Sequence, residues 1–201
     1  PLRQLIAELS IRDRLPQIEL AIGDAVDVLV LRVLAPPDAD DQNRLRNFAE
    51  RHAVQLFLQT KGPETARPFH PPQAPPLQYG IPDYDLVFPF EPTEFTQVNH
   101  DINRVLVRRA VTLLDPQPGE RIGDFFCGLG NFSLPLARHA RRVLGIEGDV
   151  RLIEKARLNA ARNAIGNVEF IAANLFNEGQ PDPWGDAHYD KWLLDPPRSG
   201  A

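Results

Sequence analysis

The stretch DFFCGLGNF, residues 124–132, decides the organisation of the chain, because it joins an apolar segment to a segment with helical spacing. Residues 121–126 predict a strand and residues 131–140 predict a helix, with Gly128 and Gly130 in the turn between them. Glycines in such a turn let backbone N–H groups approach a ligand closely at the start of a helix. By itself, a glycine turn of this kind is a weak sign of a binding site.

The segments around this turn continue to alternate between strand and helix. Predicted strands cover residues 142–146, 168–172 and 191–194, and predicted helices cover residues 99–114 and 149–164. This alternation is typical of α/β proteins with a parallel, doubly wound sheet. Ligands of such sheets bind at the carboxyl ends of the strands. We therefore expect functional residues directly after the strands.

The first part of the sequence has a different pattern. Its predicted strands cover residues 17–20, 26–34 and 54–59, and its one long predicted helix covers residues 38–52. Nine of the 20 prolines then lie from Pro63 to Pro92, which indicates an irregular exit segment. The sequence thus predicts a small α+β domain over residues 1–92, followed by an α/β domain over residues 93–201.

Composition excludes several classes of protein. The 201 residues include 27 acidic and 22 basic side chains, so the net charge of −5 does not favour a surface that binds nucleic acid everywhere. A single cysteine, Cys127, rules out an internal disulfide framework and a cluster of thiolate metal ligands. No apolar run has the length of a membrane span, which favours a cytoplasmic protein. Because the chain starts at Pro1 and has no methionine, we expect a fragment lacking both ends.

Two polar residues follow the first two strands of the α/β part. Glu147 stands 19 residues after Gly128, where an acid commonly accepts hydrogen bonds from the two ribose hydroxyls of a nucleoside. The alternative is an acid that caps the next helix. Asn131 could bind the charged methionine end of S-adenosylmethionine. A dinucleotide is less favoured, because Ser133 stands where its glycine motif ends in Gly or Ala.

Two more candidate binding residues follow later strands, and Gln97 lies before the first strand of the α/β part. Asn174 is placed to reach an adenine edge, or else to form a turn. Asp195, followed by two prolines, could form a rigid wall for a planar substrate or for the methionine amine, or could simply end the strand. From the residues alone, Gln97 is an exposed polar side chain and Phe126 belongs to the core.

Four stretches together resemble the motif series of the RNA uracil-5-methyltransferases, most closely the branch that makes 5-methyluridine in 23S ribosomal RNA: FTQVN (95–99), DFFCGLGNF (124–132), GIEG (145–148) and LDPPRSG (194–200). The resemblance is specific over residues 93–201 and looser over residues 1–92. It implies a Rossmann-like, S-adenosylmethionine-dependent methyltransferase domain. It also implies that six residues contact the cofactor, namely Gln97, Phe126, Asn131, Glu147, Asn174 and Asp195.

The same resemblance implies parts that this sequence does not contain. Methylation of uracil C5 requires a cysteine that adds to C6 and a base that removes the C5 proton, and in the family both follow the LDPPRSG stretch. We therefore expect no catalytic residue within residues 1–201, and Cys127 is interpreted as a small packed residue of the cofactor wall. Enzymes of the family often begin with a small RNA-binding β-barrel, and in the ribosomal branch the ligands of a four-cysteine iron–sulfur cluster precede the matched region. A 4Fe-4S cluster is therefore expected only in the full-length protein.

We therefore expect a fragment of a cytoplasmic RNA uracil-5-methyltransferase that binds S-adenosylmethionine. The expected partner is 23S ribosomal RNA, with no DNA and no membrane, and the expected oligomeric state is a monomer. A methyltransferase that modifies uracil in transfer RNA shares these motifs and remains an alternative. Two further alternatives are a catalytically inactive fold that docks RNA and an NAD-dependent reductase.

Overall fold

The computed structural model describes residues 1–94, 96–97, 99–176 and 188–197. The chain forms two compact units. Unit 1 comprises residues 1–79 and 89–98, and unit 2 comprises residues 80–88 and 99–201. The predicted boundary at residue 92 thus falls within the second segment of unit 1, and residues 80–88 group with the α/β part.

Unit 1 is built on a four-stranded sheet with the order β1-β2-β3-β4. Strands β1 and β2 are antiparallel, β2 and β3 are parallel, and β3 and β4 are antiparallel. The parallel pair requires a crossover, which α2 supplies, and Asp38 caps this helix by accepting a hydrogen bond from the Asp41 N–H over 2.8 Å. The elements are α1 (Leu2–Glu8), β1 (Gln17–Ile22), β2 (Asp27–Arg32), α2 (Ala39–His52), β3 (Val54–Gln59) and β4 (Arg67–His70).

The core of unit 1 lies between this sheet and its two helices. Leu45 and Ala49, on one face of α2, are buried with Leu29 and Leu31 of β2 and with Leu56 of β3. These residues recur at helical spacing in α2 and at every second position in β2, which is why the sequence predicted these elements.

Unit 2 contains the parallel sheet that the alternation predicted. Its strand order is β10-β7-β8-β9, and all three strand pairs are parallel. A two-stranded hairpin, β5 and β6, precedes it in the chain, and residues 80–88 of this hairpin belong to unit 2. The elements are β5 (Gln78–Ile81), β6 (Leu86–Pro89), α3 (His100–Leu114), β7 (Arg121–Phe125), α4 (Ser133–Ala137), β8 (Arg142–Glu147), α5 (Val150–Arg162), β9 (Val168–Ala172) and β10 (Lys191–Leu194).

The helix after the glycine turn is shorter than the sequence predicted. It was expected over residues 131–140 but covers Ser133–Ala137. Gly128 and Gly130 have φ angles of 55° and 93°, so the chain is still turning until residue 132. Beyond Ala137, the Arg138 and His139 N–H groups bond to carbonyls three residues back, which replaces the α-helical pattern by tight turns.

The hairpin is fixed to the rest of unit 2 by side chains that bond to its backbone. The side-chain amide of Asn163 accepts from the Val87 N–H and donates to the Val87 carbonyl, both over 2.9 Å, as a neighbouring strand would. Arg138 donates to the carbonyls of Tyr84 and Asp85. In the described part of the chain, no helix is both long and apolar enough to span a membrane.

Candidate cofactor site at the strand ends of unit 2

Strands β7 and β8 bring their carboxyl ends together. Phe125 and Ile146 are register partners, so the loops that follow these strands lie side by side. The Cys127 N–H donates to the Ile146 carbonyl over 3.1 Å, and the Ala173 N–H donates to the Glu147 carbonyl over 2.9 Å. The residues after β7, β8 and β9 therefore form one edge, as the doubly wound topology requires.

Glu147, at the end of β8, is held by the backbone of two loops. Its Oε2 accepts from the Gly128 N–H over 3.2 Å, and its Oε1 accepts from the N–H groups of Gly148 and Asp149 over 2.7 and 3.2 Å. The carboxylate is half-buried and retains acceptor capacity at Oε2. The cap of α5 is Asp149, whose side chain accepts from the Arg151 N–H, so Glu147 is not needed for that role.

Asn131, at the end of the glycine turn, is paired with a residue that sequence reasoning did not single out. Its side-chain amide donates to Oδ1 of Asn103 and accepts from Nδ2 of Asn103, each over 2.9 Å. Asn103 lies on α3 and is 2% exposed, whereas Asn131 is half-buried. The pair connects the glycine turn to α3 across 28 residues of sequence.

Aromatic rings line the same edge of the sheet. Phe126 leaves β7 with a φ angle of 62°, a left-handed conformation that is uncommon for an aromatic residue. Its ring centroid lies 5.6 Å from that of Phe176, which follows β9 and is exposed. Two rings at this distance form an apolar surface on which a flat base could stack. Phe176 was missed from the sequence, where nothing distinguishes it from a core phenylalanine.

Three predicted contacts lie at more exposed positions. Asn174 follows β9, and its Oδ1 accepts from the Phe176 N–H over 3.0 Å. This hydrogen bond is the one expected of an asparagine that forms a turn, which was the alternative interpretation of Asn174. Asp195 follows β10 and is exposed. Gln97 is exposed and belongs to unit 1, so its contact with a cofactor stays a prediction. Of the matched motifs, Phe95, Val98 and residues 198–200 lie outside the described residues.

A buried carboxylate lies directly beneath the glycine turn. Asp124 of β7 is 1% exposed, its Oδ2 accepts from the Ser133 hydroxyl, and its Oδ1 has no hydrogen-bond partner among the described residues. Burial raises the pKa of Asp124 to about 7, and the negative charges of Asp195 and Glu147 act in the same direction. An acidic residue inside an apolar strand, four residues before the first glycine of the turn, was the signal available in the sequence.

The carboxylates of Glu147 and Asp195, whose negative charges also act on Asp124, give the strand ends a negative potential, which suits a ligand that carries positive charge. S-adenosylmethionine fits this edge, since it has a sulfonium and an ammonium group as well as an adenosine. The pyrophosphate of a dinucleotide does not fit, because it would be repelled by the same carboxylates. The geometry thus favours a cationic nucleoside over NAD.

Cys127 faces the interior of unit 2. It is 4% exposed, and a Cβ atom built on Gly145 would lie 2.9 Å from its Sγ, so little space separates it from β8. Burial, together with the charges of Asp124 and Glu147, raises the pKa of the Cys127 thiol far above its ordinary value. A thiol of this kind is a packing group and a poor nucleophile.

Metal ligands are scarce in the part of the chain that the structure describes. No group of three or more His, Cys, Asp or Glu side chains could hold a metal ion there. The whole sequence has one cysteine, too few for a four-cysteine cluster, so no role is assigned to an iron–sulfur centre in these residues.

The sequence is similar to a family of RNA-modifying enzymes. The family model described as tRNA (Uracil-5-)-methyltransferase matches residues 78–179. The proteins named 23S rRNA (uracil(1939)-C(5))-methyltransferase RlmD of Nitrosospira multiformis and Thiobacillus denitrificans are 55% and 57% identical over the whole chain. In each case the match covers 46% of the relative, so the chain spans about half the length of these curated relatives.

The fold is also similar to that of a solved structure. The tRNA (uracil-54, C5)-methyltransferase of Pyrococcus abyssi, solved in complex with S-adenosyl-L-homocysteine, has a TM-score of 0.63 and 21% identity. The match covers 90% of this chain and 43% of that one. At this identity the likeness concerns the fold, which agrees with the Rossmann-like methyltransferase architecture predicted from the sequence.

Proposed function

The chain belongs to the tRNA (uracil-5-)-methyltransferase family, and from this premise we infer that its native protein transfers a methyl group from S-adenosylmethionine to C5 of uracil in RNA. The family predicted from the motifs is thereby confirmed, whereas the activity, the cofactor and the RNA are proposals. They concern the whole protein, of which this chain corresponds to about half in the relatives named above.

One observation carries the cofactor proposal. Glu147 is held by three backbone N–H groups at the edge where Asp195 also places its negative charge. A carboxylate at this position can accept hydrogen bonds from ribose hydroxyls. These two carboxylates favour the positive charges of S-adenosylmethionine, and the rings of Phe126 and Phe176 offer a surface for adenine. The same charges make an NAD-dependent reductase the weaker alternative.

The described residues bind and orient the cofactor in this proposal. S-adenosylmethionine, when bound, supplies an electrophilic methyl group. Glu147 fixes the ribose, Asn131 contacts the methionine end, and the carboxylate of Asp195 offsets the positive charge of the ligand. Gln97 and Asn174 are proposed as additional contacts to the cofactor, the latter to the adenine edge.

The uracil must also be activated, because its C5 is a weak nucleophile. Addition of a cysteine thiolate to C6 gives C5 enolate character, C5 takes the methyl group, and a base then removes the C5 proton so that the thiolate can leave. The family resemblance assigns these two roles to a cysteine and a glutamate that follow the LDPPRSG stretch. Cys127, which is buried beside Gly145, is not proposed for either role.

The preferred RNA is 23S ribosomal RNA, with uracil 1939 as the position, because relatives that share 55% and 57% identity carry this specificity in their names. Transfer RNA is the alternative, since the family model is named for it. Because C5 and C6 must both be reached, we expect the target base to leave its stack before reaction. We further propose a cytoplasmic, monomeric protein that does not act on DNA.

The test uses the native protein that carries this sequence. Labelled methyl groups from S-adenosylmethionine are offered with unmodified 23S ribosomal RNA and, in parallel, with unmodified transfer RNA. We expect label in ribosomal RNA alone, at a single uridine after nuclease mapping. Label in transfer RNA alone would keep the cofactor and the chemistry but change the substrate. Label in neither, despite binding of both RNA and S-adenosylmethionine, would favour the inactive RNA-docking fold.

A further inference from the structure

Asn103 is the polar side chain on the buried face of α3, which is otherwise apolar. Within α3, the buried residues are Asn103, Val107 and Val111, which follow one another at intervals of four. An amide buried at such a position is unfavourable unless its hydrogen bonds are made, whereas an aliphatic side chain would pack there without this requirement. Packing alone therefore does not account for an amide at position 103.

The Asn103 amide is hydrogen-bonded to Asn131 of the glycine turn. Among the described residues, the Asn103 side chain makes two hydrogen bonds to the side chain of Asn131, one donated and one accepted, each 2.9 Å long. Asn131 follows Gly130, whose φ angle is 93°, so it lies in a turn and not in a helix or strand that would fix it by itself. The backbone of Asn103, by contrast, is anchored in the helix by a 2.9 Å bond to the Asn99 carbonyl.

We propose that Asn103 is a positioning residue for cofactor binding, which sets the orientation of the Asn131 amide toward the methionine end of S-adenosylmethionine. This inference rests on the proposed function. A side-chain amide has two N–H donors and one oxygen with two lone pairs. The pair with Asn103 uses one donor and one lone pair of Asn131, and so fixes which edge of the amide faces away from α3. The orientation of the Asn131 amide is therefore set by α3.

The test compares two ligands that share an adenosine but differ in their tails. S-adenosylmethionine carries the amino and carboxyl groups, and 5′-methylthioadenosine lacks both. In the native protein with Asn103→Leu, we expect calorimetry to show binding of S-adenosylmethionine weakened about tenfold, as for the loss of a hydrogen bond to a charged group, and binding of methylthioadenosine unchanged. Asn103→Asp, nearly the same size, can still accept from Asn131 but no longer donate to it, and should show the same selective loss.

A matched control separates positioning from general support of the helix. Val107→Ala, one turn further along the same buried face, should lower the melting temperature without changing the ratio of the two affinities. If both Asn103 variants bind the two ligands as the wild type does, or lose both alike, Asn103 does not position the methionine end. If the wild-type protein binds neither ligand, the proposed cofactor itself is wrong and this inference falls with it.

Discussion

At the residue scale, the candidate site depends on carboxylates that serve different purposes. Glu147 is half-buried and held by backbone N–H groups, so it is prepared to accept hydrogen bonds from a ligand. Asp124 is buried below the turn, where its charge is disfavoured, and it bonds to Ser133. Glu147 ends β8 and Asp124 lies within the neighbouring strand β7. The two carboxyl groups therefore differ in ionisation because of their solvent exposure and hydrogen bonds, and not because they belong to different parts of the fold.

Replacing Glu147 tests the ribose contact. We expect Glu147→Ala to weaken binding of S-adenosylmethionine by about 1.5–3 kcal/mol, because hydrogen bonds between a carboxylate and the ribose hydroxyls are lost. Isothermal titration calorimetry of the native protein measures this. Glu154→Gln, on the exposed side of α5, is the matched control and should bind as the wild type does. Equal affinities for all three proteins would contradict the assignment of Glu147.

Replacing Asp124 tests the effect of its raised pKa on stability. The pKa of Asp124 rises from 3.8 to about 7 on folding, so the folded state favours the neutral acid. Its contribution to stability is therefore fully present below pH 3.8, decreases as the pH rises, and is lost once the pH has passed about 7. Relative to Asp124→Asn, the wild type should lose unfolding free energy between pH 5 and pH 7, with little further change at higher pH.

Urea unfolding of both proteins at several pH values measures this difference. Only its change with pH is diagnostic, because a constant offset also arises from the different hydrogen bonds of an amide beside Ser133. A difference that stays constant from pH 5 to pH 8 would show that Asp124 is ionised throughout, contrary to the expected effect of its burial.

At the element scale, the packing between β8 and β9 determines where the carboxyl end of β8 lies. Gly145 sits in the middle of β8, opposite Phe170 of β9 in the parallel register. The Phe170 ring and the Cys127 side chain occupy the space above Gly145. The glycine of the GIEG stretch is therefore required by close packing beneath the site, and Glu147 follows it by two residues.

We expect Gly145→Ala to destabilise the protein by about 1–3 kcal/mol through overpacking. Its Cβ would lie 2.5 Å from Cδ1 of Phe170 and 2.9 Å from Sγ of Cys127, so the neighbours or the strand must shift. Denaturant unfolding provides the measurement. Gly119→Ala, where a Cβ meets no atom within 4 Å, is the matched control. Combining Gly145→Ala with Phe170→Leu should recover part of the loss; no recovery would point to a cause other than this contact.

At the scale of the whole molecule, the two units have different roles in the proposed function. Unit 2 carries the strand ends with Glu147, Asn131 and the two phenylalanine rings. Unit 1 is a separate sheet with its own core, and of the six predicted contacts it contributes Gln97. Binding of the cofactor should therefore affect the two units unequally.

Amide hydrogen exchange can show this inequality. On addition of S-adenosylmethionine, we expect slower exchange in peptides that cover residues 126–131, 147–149 and 174–176, because the ligand orders the loops at the strand ends. A peptide that contains Gln97 should also be protected if that residue contacts the ligand. Exchange in β1–β4 should not change. Equal protection of both units, or protection confined to β1–β4, would contradict a site at the strand ends of unit 2.

The alternation of strands and helices in residues 99–194 could be predicted from the sequence, because helical and strand periodicity are local properties. The parallel sheet of unit 2 confirms that prediction. The sequence also placed Asn131 and Glu147 correctly at strand ends. It did not predict that residues 80–88 group with unit 2, since that grouping depends on the hydrogen bonds that Asn163 and Arg138 make to the hairpin backbone.

By itself, then, the sequence determined the class of the fold and the family, and it predicted the edge of the sheet where a ligand would bind. Only the tertiary structure decided that Asn103 pairs with Asn131, that Asp124 is buried under the turn, and that Phe176 lies near Phe126. Each of these pairings joins segments that are far apart in the chain, and the environment of Asp124 is set by the packing around it. A local pattern of residue types does not predict which of these distant residues come into contact, because the contacts follow from how the strands are ordered in the sheet.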